Sequence, residues 1–140
     1  MEKFAKAITL IIFTLTGCAS VPMSGYISRV DRAYDGKIYA GLEKTTSAFM
    51  FVLKNQGWTV ANEVDPGIYE RDDRYENNGY QNLLIVTDMR KHFLHLTGTR
   101  LNVFIHAIGN ICDVEIRFSS GRHDSVAQGI LDAVQQEIKD

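Results

Sequence analysis

Residues 101–118 read LNVFIHAIGNICDVEIRF, and this stretch decides the fold. Leu101, Val103, Ile105 and Ala107 recur at every second position. After Gly109-Asn110 the alternation resumes with Cys112, Val114, Ile116 and Phe118. A period of two places each set on one side of a pleated strand. A Gly-Asn pair between two such runs signals a hairpin with a primed turn, whose central residues take positive φ. The pattern predicts two antiparallel strands with one apolar face, and with Asp113, Glu115 and Arg117 facing water on the other.

Helical periods flank the hairpin at a distance. Val126, Ile130, Val134 and Ile138 recur every four residues with Leu131 beside them, while Asp132, Gln135, Glu137 and Lys139 cover the outer side. Asp124 or Ser125 is the expected cap. A second helix is predicted from Ile38 to Gln56, with Leu42, Phe49, Met50, Val52 and Leu53 largely on one face and Glu43, Lys44 and Lys54 on the other. Gly57 is placed to end it in the left-handed conformation. Trp58, Val60 and Val64 then follow strand period, Asp65-Pro66-Gly67 is a turn, and Ile68 to Arg71 is expected to return as a short strand. Leu83 to Thr87 is a β-branched strand, and His92 to Leu96 a shorter candidate closed by Thr97-Gly98. The expected fold is therefore α+β: an antiparallel sheet of about four to five strands with two helices packed on one face, which buries both helical stripes at once.

The segment Glu70 to Tyr80 (ERDDRYENNGY) is charged, without period, and the expected exposed loop. Tyr69, Tyr75 and Tyr80 flank it. They either form a recognition surface, as interface aromatics do, or pack the loop onto the sheet.

The N-terminus carries an address. Lys3 and Lys6 precede an uncharged run, Ala7 to Leu15, and small residues then meet a cysteine in Leu15-Thr16-Gly17-Cys18. Charged, then apolar, then small is the order of a secretory signal, and the run is well short of the ~20 residues of a spanning helix. The last four residues resemble the lipobox of bacterial lipoproteins. That resemblance implies diacylglyceryl transfer to the Cys18 sulfur, cleavage between Gly17 and Cys18, and acylation of the new N-terminus. Two or more chains anchor stably at about 0.8 kcal/mol per buried CH₂. Ala19 and Ser20 follow, with no aspartate next to the cysteine. In enterobacterial lipoproteins that pattern implies passage to the outer membrane, facing the periplasm. The expected organisation is residues 1–17 as signal peptide, 18–36 as a tether, and 37–140 as a single domain. A flexible tether of that length has a typical reach of about 20–25 Å. The alternative for its middle is that Tyr26 to Val30 adds an edge strand.

Composition narrows the function. The net charge is −2, and Lys and Arg are scattered without a basic stripe, which argues against nucleic acid as a partner. With Cys18 lipidated, Cys112 alone makes no intramolecular disulfide, and its place in the alternation reads as core, the alternative being a reactive or intermolecular thiol. His92 and His95 form an H-x-x-H pair, but three apart on a strand they point to opposite faces, and a site would need His106 or His123 to approach in space. Asp72, Asp73 and Glu76 lack the alternating ligands, central glycine and twelfth-position glutamate of a calcium loop. Glu70 and Asp73 as a hydrolytic pair would need a cleft that a polar loop tip does not suggest. Ser119-Ser120-Gly121 offers backbone N–H groups to an anion, or caps the last helix. No catalytic residues, resident metal or cofactor are expected, only the covalent lipid on Cys18.

The order of a helix ending in Leu53-Lys54-Asn55-Gln56-Gly57-Trp58, then β-strands, then a helix starting near His123-Asp124-Ser125 resembles a group of small, functionally uncharacterised bacterial lipoproteins. The similarity runs from Ile38 to Ile138. This chain departs from it in the longer Glu70 to Tyr80 loop. The resemblance implies the fold and transfers no catalytic residues. The resulting expectation is a non-enzymatic, membrane-anchored envelope lipoprotein whose partners are the bilayer, through Cys18, and an envelope protein. The alternative is a small-ligand or metal-binding lipoprotein using the concave sheet face with His92, His95 or His106.

Overall fold

The Gly109-Asn110 turn folds residues 101–118 back on themselves, with Leu101 opposite Phe118 and Ile108 opposite Ile111. Gly109 takes φ +57°, the conformation the primed turn requires. The computed structural model describes residues 25–29, 33–76, 78–90, 98–121 and 123–140. In chain order its elements are β1 (Tyr34–Ile38), α1 (Leu42–Asn55), β2 (Val60–Val64), a 3₁₀ turn (Pro66–Ile68), β3 (Gln81–Thr87), β4 (Leu101–Ile108), β5 (Ile111–Phe118) and α2 (Asp124–Lys139). The five strands form one open sheet in the order β1-β5-β4-β3-β2, every neighbouring pair antiparallel. The fold is α+β, one sheet carrying two helices.

Strand alternation delivers Val103, Ile105 and Ala107 of β4, with Cys112, Val114 and Ile116 of β5, to a single core. From the other side come Phe49, Val52 and Leu53 of α1 and Ala127, Ile130, Leu131 and Val134 of α2. Full burial of such a side chain is worth roughly 1.5–3 kcal/mol, so this layer is the main source of stability. Cys112 is part of it: its Sγ lies 3.2 Å from the Ala40 carbonyl oxygen and 3.4 Å from Thr45 Oγ1, and burial pushes the thiol up. It is a small core residue, as its place in the alternation predicts. Gly57 ends α1 at φ +85°, donating to the Lys54 carbonyl at 3.1 Å while Trp58 N–H reaches Leu53 O at 2.9 Å, a Schellman closure.

Four local expectations are corrected. The first helix begins at Leu42, not Ile38, with Gly41 as its N-cap. Tyr34–Ile38, split in the sequence between tether and helix, is instead the edge strand β1 on β5, with Gly36 opposite Val114. Ile68 to Arg71 is not a strand. Asp65 Oδ1 accepts from Gly67 N–H at 2.9 Å, and Pro66 and Ile68 lie in a 3₁₀ turn, because the proline's fixed φ suits a turn start. Asp124 is the first residue of α2 and His123 its N-cap, with no side-chain capping bond.

Candidate functional site

The sheet face opposite the helices is where the chain departs most from its expected reading. Glu115 and Arg117, expected to face water, are 7% and 1% exposed. Two segments cover them. Residues 25–29 lie across β4 and β5, and residues 65–76 fold over the same face.

Asn102, fully buried on β4, fastens the first segment. Its Nδ2 donates to Gly25 O at 2.9 Å and its Oδ1 accepts from Ile27 N–H at 2.8 Å, a side-chain copy of a β-ladder pair. Gly25 holds φ +90° against Val86, where a Cβ would collide. Tyr26 then stacks on Tyr69 with ring centroids 4.7 Å apart and meets the edge of Phe104 at 6.5 Å. Leu84, Val86 and Phe104 with Tyr26, Val64 and Tyr69 make a second, smaller apolar cluster.

Arg117 is the electrostatic centre of this layer. Its Nε donates to Glu115 Oε1 at 2.7 Å, its Nη2 to Glu70 Oε1 at 2.7 Å, and its Nη1 to Ile27 O at 2.9 Å. Its guanidinium lies 3.9 Å from the centroid of the Phe104 ring. Burial opposes the charge, but Glu70 and Glu115 outweigh it and keep the guanidinium protonated. Burial likewise pushes Glu70 upward, yet hydrogen bonds from Arg117 and Tyr26 hold its carboxyl below the usual carboxylate range. Tyr26 O–H donates to the same carboxylate, and burial plus that bond push its pKa to about 12.

Toward the hairpin tip a groove of about 470 Å³ opens among the described residues. Asp35 and Lys37 of β1, Arg74 and Tyr75 of the loop, and His106 of β4 wall it, over Asp113 and Glu115 of β5. Tyr75 stacks flat on His106 at 3.8 Å, with Arg74 over the tyrosine ring at 5.1 Å. Most charges here are paired. Asp72 takes Arg29 at 2.7 Å and Arg74 at 2.8 Å, and Lys37 lies 3.6 Å from Asp113. Arg74's hydrogen bond is the largest influence lowering the Asp72 carboxyl. Burial lowers the His106 pKa, so the ring is neutral at pH 7. Its Nδ1 lies 2.7 Å from Asn82 Oδ1, an acceptor, which places the ring proton on Nδ1 and leaves Nε2 as an acceptor.

The residues singled out from the sequence fall as follows. Tyr69, Tyr75 and Tyr80 are all half-buried: Tyr69 on Tyr26, Tyr75 on His106, and Tyr80 edge-on to Tyr75 at 5.0 Å. Asp72 and Glu76 bind arginines, and Asp73 is exposed. Ser119 Oγ accepts from Arg100 N–H at 2.8 Å and Ser120 Oγ lies 2.8 Å from Thr99 Oγ1, so both hydroxyls fasten the start of β4 and neither caps α2. His106 and His123 sit toward opposite ends of β5, His123 against Phe118. Cys18, His92 and His95 lie outside the described residues. Among the described residues no group of three or more His, Cys, Asp or Glu side chains is placed to hold a metal ion, and no helix is long and apolar enough to cross a membrane.

Sequence reasoning missed Asp35, Lys37, Arg74 and Asn102. The one signal for the first two was the alternation of Tyr34, Gly36 and Ile38 against Asp35 and Lys37, which the glycine obscures. No protein-family model matches this chain, and neither does any curated protein.

Proposed function

We propose that this chain is a lipid-anchored protein of the bacterial cell envelope that presents a small non-enzymatic domain to a partner in the same layer. The observation that carries the reading is the joint between leader and domain. Cys18, at the end of the Leu15-Thr16-Gly17 leader, stands seven residues before Gly25, which Asn102 already fastens to the sheet. At no more than about 3.6 Å per residue, a lipid on Cys18 holds Gly25 within about 25 Å of the bilayer. Confinement at that distance raises the effective concentration of the domain for partners held in the same layer. Passage to the outer membrane, facing the periplasm, follows from the absence of an aspartate after Cys18.

The test is fractionation of cells carrying the full chain or its Cys18→Ser form. The wild type is expected in the membrane fraction, and the variant released yet folded. A wild-type protein in the soluble fraction, or a variant retained as the wild type is, contradicts the reading.

A second reading, that the domain holds a small ligand, is favoured by the groove beside His106, whose volume lies within the range of small-molecule sites. The two readings are compatible, since a tethered domain can carry a ligand.

A further inference from the structure

Two acceptors in the groove have no protein donor among the described residues. Asp35 is exposed on β1 directly opposite Glu115. Among the described residues no hydrogen-bond donor or cation pairs with it, whereas Glu115 and Asp113 are taken by Arg117 and Lys37. Partial burial and the neighbouring Glu115 push the Asp35 carboxyl up, and the more distant charges of Arg74, Arg29 and Arg117 offset this only in part. His106 is 6% exposed and lines the same groove. With its proton on Nδ1, its Nε2 accepts only, and among the described residues no donor meets it.

We propose that this groove binds a cationic ligand rich in N–H groups, its ammonium or guanidinium on the Asp35 carboxylate and a second N–H donor on His106 Nε2. An anion is disfavoured. Arg74 and Lys37, two cations of the wall, are already paired with Asp72 and Asp113, and an added negative charge would face Asp35 and Glu115. The cation offsets both effects on Asp35, because its charge stabilises the ionised carboxylate against burial and against Glu115. Spacing sets the ligand's length. Asp35 and His106 stand two strands apart and two residues out of step, since Lys37 pairs with Asp113 and Asp113 with His106. Strands about 4.8 Å apart with a rise of about 3.3 Å per residue separate their Cα atoms by roughly 12 Å. Less a hydrogen bond of about 3 Å at each end, that leaves roughly 6 Å between the ligand's nitrogens, which fits a short diamine, or a lysine or arginine residue whose main-chain N–H is the second donor. Tyr75 is held as a wall, with His106 on one face and Arg74 on its ring.

This inference deepens the ligand-binding reading and rests on the groove being the ligand's site. The experiment titrates the full chain in detergent near neutral pH with 1,5-diaminopentane, butylamine, a lysine-containing peptide and citrate, following protein NMR shifts. The diamine or the peptide is expected to saturate and move Tyr75 and His106 signals. Saturation by the free diamine identifies a small amine, and saturation by the peptide alone a basic side chain of a partner. Asp35→Asn is expected to weaken either about tenfold, the scale of one charge-assisted hydrogen bond, while Asp132→Asn on the outer side of α2 leaves it unchanged. His106→Phe keeps a ring against Tyr75 and is expected to erase the diamine's advantage over butylamine. Equal binding by Asp35→Asn overturns the inference, as does the absence of saturation in a folded protein. Saturation by citrate in place of the amines overturns it while leaving the groove a ligand site. Membrane retention, read separately, is untouched by any of these results.

Discussion

Arg117 shows how one residue converts a polar sheet face into an interior. Its side chain is fully buried, yet each donor direction that the structure resolves ends on an acceptor: Glu115 beside it on β5, Glu70 from the loop, and the Ile27 carbonyl from the N-terminal segment. Three parts of the chain, far apart in sequence, therefore meet on one guanidinium. Breaking a buried pair costs more than its formation gains, because the partner's charge is left behind. Arg117→Ala takes from Glu70 and Glu115 the one guanidinium they share, leaving only Tyr26 O–H on Glu70 and Arg29, 3.8 Å away, on Glu115. We expect it to lower unfolding stability by about 3 kcal/mol in urea denaturation. Lys37→Ala, which removes a pair with the lysine half exposed, is expected to change stability by less than about 1 kcal/mol. Equal effects from the two variants would show that the Arg117 cluster is not the fastening described.

At the scale of elements, residues 25–29 and 65–76 act as a second layer on the sheet, clamped by Asn102, Arg117 and the Tyr26–Tyr69 stack. Alkaline pH tests that clamp. Tyr26 ionises near pH 12 in the folded protein, against about 10 in an unfolded chain. Between these values the unfolded state has lost a proton that the folded state keeps, so stability falls as pH rises through the window. Tyr26→Phe should flatten that fall in denaturant midpoints measured from about pH 10 to about pH 12, and an unchanged slope would contradict the assignment.

The same layer marks where the sequence stops being legible. Alternation in residues 101–118 distinguishes two faces and correctly sends Val103, Ile105, Val114 and Ile116 to the helices. It carries no information about what covers the other face, because the partner that neutralises Arg117, Glu70, lies 47 residues away in the chain. Gly36 hides β1 for a different reason. It occupies a core-facing strand position where a Cβ would stand 2.6 Å from Leu131 Cδ1 and push that side chain aside, so a residue with no hydrophobic signal sits in the core-facing row. Asp35 and Lys37 were lost with that strand, and with them the outer wall of the groove. His106 was legible as a residue but not as a neutral acceptor, since that property comes from Asn82 on the adjacent strand.

For the whole molecule, polarity runs along the sheet. Gly25, the first described residue, lies by Val86 and Arg100, next to the start of β4. The groove opens toward the other end, where exposed Ile108 and Ile111 flank the hairpin turn. Eight residues of β4 separate the two ends by roughly 24 Å at about 3.4 Å per residue. Under the proposed anchoring, the end of the sheet joined to the lipid is thus the one opposite the groove. The most direct measurement is the intact mass of the mature protein extracted from membranes. The expected species is a chain beginning at Cys18 and carrying diacylglycerol on its sulfur, with a further acyl group on its amine. A mature chain that begins elsewhere, or an unmodified Cys18, would contradict the proposed anchoring.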